Sequence, residues 1–165
     1  MFKKYFSLII LLLMTNHAVV ANELSLLTEE RIGDFELGIF EKDLQGKIPC
    51  PLKRGEEQLW GADGIYHQTW NYPKCGLSFN MSSEEKGATK LIYSITVTAP
   101  STLKTKRGIH IGSSEQEVAK AYQDEKDTKA SIAKQTFVAG SLYGGLVFDF
   151  QHNKVISIFL GAGAE

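Results

Sequence analysis

Two stretches of this chain read alike, and their shared pattern constrains the fold more than any other feature. Cys75–Thr98 runs CGLSFNMSSEEKGATKLIYSITVT, and Gly144–Ala162 runs GGLVFDFQHNKVISIFLGA. Each opens on Gly-Leu-x-Phe, crosses a polar turn and resumes at Lys-[Leu/Val]-Ile. In the second stretch Leu146, Phe148 and Phe150 alternate with Val147, Asp149 and Gln151; Leu77, Phe79 and Met81 repeat the apolar set in the first. A period of two places one set on a buried face and the other on an open face, so each stretch reads as a β-hairpin. QHNK is short enough for a tight turn, and SSEEKGAT is a longer one.

A second pair of blocks precedes the hairpins. FELGIFEKDLQGKIP aligns with GIHIGSSEQEVAKAY, which sets Gly38 against Gly112, Glu41 against Glu115, Asp43 against Glu117 and Leu44 against Val118. Collinear self-similarity of this kind predicts a tandem duplication. The expected fold class is α+β, with each unit a short helical element followed by a three- to four-stranded antiparallel sheet. The units span residues 22–100 and 101–165, joined through TAPSTLKTKRG with the boundary near Ser101. The later helix is the better marked. Ser114 and Glu117 form a capping-box pattern, and Val118, Ala121 and Tyr122 share one helical face. The earlier helix is expected to be short, stopped by Gly46 and Pro49. Upstream strands are predicted at Ile65–Trp70 and Gln135–Val138.

Residues 1–21 read as a secretory signal peptide. Lys3 and Lys4 precede an apolar run from Tyr5 to Met14, too short to span a bilayer, and Val19 and Ala21 fit a cleavage site. No Cys follows the run, so no lipid anchor is expected, and no later segment reads as a membrane span. The predicted location is the periplasm or the exterior. In that oxidising setting Cys50 and Cys75 are predicted to pair, closing a loop that contributes about 3 kcal/mol. Without Lys3 and Lys4 the 18 basic residues fall to 16, against 19 acidic. No basic stripe is evident, which argues against nucleic acid as a partner.

Chemistry-bearing motifs are sparse. His67, His110 and His152 share no metal-type spacing and read as ordinary surface histidines, so no metal site is expected. No Gly-x-Ser-x-Gly motif is present. The glycines of AGSLYGGL fit a bent hairpin loop and lack the Lys-Ser/Thr of a phosphate loop. No catalytic residue and no cofactor is therefore assigned. What stands out is LWGADGIYHQTWNYPKC, which holds Trp60, Tyr66, Trp70 and Tyr72. Tryptophan and tyrosine carry much of the energy of protein interfaces, and they equally fill cores. If the strand alternates, Tyr66, Gln68 and Trp70 share one face and His67 and Thr69 the other. Tyr143, at a glycine-rich hairpin tip, completes the set of candidate binding residues.

RGIHIGSSEQEVAKAY, followed by GLVFDF and KVISIFLG, resembles the repeat of the β-lactamase-inhibitory-protein-like family. There a helix-loop-helix packs on a four-stranded antiparallel sheet, often in tandem, in exported bacterial proteins. Small outer-membrane assembly lipoproteins carry a related single unit. The resemblance covers nearly all of the chain after residue 21 and brings no shared catalytic residues. It marks a fold rather than a chemistry. The expectation is a non-enzymatic module that binds another exported or envelope protein, as an inhibitor or immunity-type partner of an exported enzyme. The alternative is an envelope assembly or structural factor.

Overall fold

A computed structural model describes residues 25–162; the signal-peptide reading of residues 1–21 lies outside the described residues. The described residues form eight strands: β1 (Lys53–Arg54), β2 (Gln58–Leu59), β3 (Tyr66–Tyr72), β4 (Leu77–Ser83), β5 (Leu91–Thr98), β6 (Thr136–Ser141), β7 (Gly144–Gln151) and β8 (Lys154–Gly161). They form one sheet in the order β1-β3-β4-β5-β8-β7-β6, with β2 also paired to β3. Every pairing is antiparallel. The halves join where Ile95–Thr98 of β5 meets Ser157–Leu160 of β8.

The alternation read from the sequence sets the two faces. One row runs in register through Trp70, Phe79, Ile95, Leu160, Leu146 and Ala139. A second runs through Tyr72, Leu77, Val97, Ile158, Phe148 and Phe137. Every residue of both rows is buried. Burying one large apolar side chain contributes about 1.5–3 kcal/mol, so these rows supply much of the driving force for folding. The predicted QHNK turn forms with His152 at φ 52° and Asn153 at φ 58°, as a two-residue hairpin connection requires.

The core face is covered by α1 (Glu115–Tyr122), which starts as predicted. The Glu117 backbone N–H donates to Ser114 Oγ (3.2 Å), and the Ser114 N–H donates to Glu117 Oε2 (2.6 Å). Val118 and Tyr122 are fully buried, and the Tyr122 ring packs on Phe148 at 5.2 Å between centroids. The Tyr122 hydroxyl donates to Thr105 (2.8 Å) and reaches buried Glu30 (3.3 Å), which ties the stretch containing Ser101, Thr105 and Ile109 into the core.

The expected fold class needs correction. The chain is not a tandem duplication of a helical element followed by a small sheet. It is mainly one eight-stranded antiparallel sheet, and α1 is the one substantial helix among the described residues. Residues 25–29 add a helical turn. The predicted first-half helix is a single 3-10 turn, Glu41–Leu44. Three local causes act together. Phe40 at its N-cap position offers no side-chain acceptor, Gly46 turns to φ 74°, and Pro49 follows. Only Leu44 of that turn is buried, too little to hold a longer helix against the sheet.

Cys50 and Cys75 form the predicted disulfide. Cys75 ends a 3-10 turn, Pro73–Cys75, and Gly76 follows at φ 58°. A Cβ on Gly76 would collide with the Thr98 carbonyl oxygen, so both its dihedral and its surroundings require glycine.

Candidate functional site

The aromatic segment divides between the two faces of β3. Tyr66, Gln68, Trp70 and Tyr72 point to the core face; Trp70 and Tyr72 are buried there and Tyr66 is half-buried. The Trp70 indole N–H donates to Gln68 Oε1 (2.8 Å), and the Gln68 amide donates to the Gly55 carbonyl (3.0 Å). The Arg54 guanidinium lies over the Trp70 ring at 4.2 Å. These contacts hold the indole in a single orientation and lock β1 to β3.

Trp60 lies on the opposite face with His67. Its ring stacks on the imidazole at 3.7 Å and 12°, and Tyr93 meets the same imidazole edge-on at 4.7 Å. His67 is 2% exposed, so it is a buried residue and not the surface histidine its sequence context predicts. Its Nδ1 contacts Asn80 Oδ1 (2.9 Å), and its Nε2 contacts Asp63 Oδ2 (2.8 Å). The turn between β2 and β3 places the carboxylate. Gly64 takes φ 75°, and the Ile65 N–H donates to Asp63 Oδ1 (3.1 Å). Desolvation is the largest influence on the Asp63 carboxyl and raises it. The donors from Ile65 and His67 outweigh that and hold it below the usual range. With both ring nitrogens engaged by oxygens, His67 serves as an anchor for the Trp60 loop. Sequence reasoning did not connect Asp63, His67 and Asn80, because Asp63 reaches the ring through the β2–β3 turn and Asn80 through the β3–β4 register.

The same face extends across five strands of the sheet and ends at β6, where Val138 is buried. Asn71, Ser78, Thr96, Phe159 and Val147 form one row in register across five strands, all at least partly exposed. Thr98, Ser157, Asp149 and Thr136 form the next, where the Thr136 hydroxyl donates to Asp149 Oδ1 (3.0 Å). Polar residues line β3 to β5, and Tyr93, Phe159, Val147 and exposed Ile156 add apolar surface. At the β6–β7 tip, Tyr143 is 77% exposed beside exposed Leu142. The structure thus brings Trp60 and the sheet's outer face together. It places Trp70 and Tyr72 in the core and Tyr143 alone at a hairpin tip.

Among the described residues, no three His, Cys, Asp or Glu side chains come together as metal ligands. No described helix is long and apolar enough to cross a membrane. No protein-family model, curated protein or solved structure matches the chain.

Proposed function

We propose that this chain is an exported, periplasmic or secreted, non-enzymatic protein-binding module. It acts as the inhibitor or immunity-type partner of an exported enzyme and engages that enzyme through the outer face of the sheet. The observation that carries this reading is the row Asn71–Ser78–Thr96–Phe159–Val147, which stays accessible on a rigid five-strand platform. Rigid backbone lowers the ordering cost of association, and a mixed polar and aromatic surface matches the composition of non-obligate interfaces. The Cys50–Cys75 disulfide fits an oxidising compartment. Tyr143, at the exposed β6–β7 hairpin tip, is a further candidate contact.

The test is affinity capture from an extract of exported proteins, using the disulfide-bonded chain and a Thr96→Arg, Phe159→Glu double variant. Both substitutions fall at accessible positions, so the fold should persist by circular dichroism. The expected result is one stoichiometric partner retained by the parent chain and lost with the variant. Equal capture by both proteins, or capture by neither, sinks the reading.

A further inference from the structure

The core face of the sheet is not sealed everywhere. Between the Glu41–Leu44 turn and the start of the sheet lies a groove of about 530 Å³. That volume falls in the range of small-molecule sites, about 300–1,000 Å³. Leu44, Ile48 and Leu52 are among its walls, with Trp70, Tyr72 and Arg54. Glu41 and Lys42 also line it and offset one another in charge, which leaves Arg54 as the net charge of the site.

Two donor groups of this groove, exposed Arg54 and buried Tyr72, have no side-chain or backbone acceptor among the described residues. The Arg54 guanidinium stacks by its face on Trp70, yet no described carboxylate lies within ion-pair distance of it. Stacking occupies the flat face of a guanidinium; its N–H donors lie in the plane and stay free. The Tyr72 side chain is 6% exposed, and no described residue accepts a hydrogen bond from its hydroxyl. Among the described residues no fully enclosed polar side-chain atom is left unpaired, so this hydroxyl keeps access to the groove that it lines. Burial raises the Tyr72 hydroxyl, with the Arg54 charge pulling the other way, so it is protonated and a donor at neutral pH. An exposed cation and a phenol, neither held by a protein acceptor among the described residues, stand beside an indole and three aliphatic side chains and suit an anionic head on an apolar body.

We propose that this groove binds a small amphipathic carboxylate, whose oxygens take the Arg54 fork and the Tyr72 hydroxyl while its apolar body lies against Trp70, Leu44 and Leu52. A planar carboxylate matches the guanidinium fork with two parallel hydrogen bonds. This site lies on the face opposite the proposed protein-binding surface and stands independently of it.

The test titrates the full chain, with its disulfide intact, with 4-phenylbutyrate, 4-phenylbutanol and acetate, read by calorimetry and tryptophan emission. The expected result is binding of 4-phenylbutyrate, with 4-phenylbutanol weaker by about tenfold and acetate undetected, since a charge-assisted pair is lost in one probe and the apolar body in the other. Arg54→Gln should reduce 4-phenylbutyrate to the affinity of the alcohol and leave the alcohol unchanged. Tyr72→Phe should weaken the acid by about threefold at an unaltered unfolding midpoint. If Arg54→Gln does not fold, Arg54→Lys, which keeps the charge and loses the fork, carries the same comparison. Equal affinity for acid and alcohol, no effect of the Arg54 substitutions, or no binding at millimolar probe would each overturn the proposal.

Discussion

Glu41–Leu44 and Glu115–Tyr122 follow equivalent approaches to the sheet and leave it in different states. Before the first, the Gly38 N–H donates to the Ile92 carbonyl (2.8 Å); before the second, the Gly112 N–H donates to the Val155 carbonyl (2.8 Å). From there the paths diverge. Ser114 caps a helix that lays Val118 and Tyr122 on the core, and that part of the face is closed. Phe40 caps nothing, one 3-10 turn forms, and the groove over Trp70 and Tyr72 stays open. The presence of a capping side chain and the absence of an early glycine thus decide whether a stretch of sheet becomes sealed core or accessible site. A disulfide reinforces the open region, whereas the closed one relies on side-chain packing and the buried Tyr122 hydrogen bonds.

The sharpest way to break this contrast is Tyr122→Ala. It removes a fully buried ring packed on Phe148, and the expected loss is about 3–5 kcal/mol in urea unfolding. A loss below about 1 kcal/mol would mean that the helix does not seal the core. Next is Cys50→Ser with Cys75→Ser, expected to cost about 3 kcal/mol by the same measurement. The double variant should also expose Trp70, seen as a red shift of its emission; an unchanged spectrum would separate the disulfide from the groove. Ser114→Ala should cost about 1 kcal/mol and lower helical ellipticity, while Phe40→Ala should leave ellipticity unchanged because no cap is lost. Equal effects at the two positions would erase the distinction drawn between the turns.

The smallest effect concerns pH. The Glu117 carboxyl is held low first by the Ser114 N–H, then by the Ser114 hydroxyl. A carboxyl whose value is depressed on folding adds stability above its unfolded value, and that contribution is lost as pH falls through the folded value. Below the ordinary value of 4.5, the parent chain should therefore lose stability faster than Glu117→Gln. Parallel unfolding midpoints across that range would show that the cap does not depend on the charge.

Much of the strand architecture was legible because its signals are local. Period-two alternation named the inward residues of β4 and β7, and those residues are buried. The Ser114–Glu117 spacing marked the start of α1, and His152-Asn153 marked a turn. The expected first helix failed for an equally local reason that carried too little weight: alignment with a helical block does not supply a cap. The candidate site was harder to read. The surroundings of His67 combine a turn, a neighbouring strand and a β5 aromatic, and the last two reach it only through strand register.

By itself the sequence determined which residues of β4 and β7 face inward, where the best-capped helix begins, and which two cysteines were available to pair. Those properties depend on neighbours within a few positions or on simple counting. The tertiary structure decided that the sheet is single and continuous, that Trp70 and Tyr72 are core while Trp60 clamps His67, and that a groove opens beside a helix that did not form. Each of these depends on pairings between residues far apart in the chain, such as Ile95 with Leu160, which no local pattern encodes.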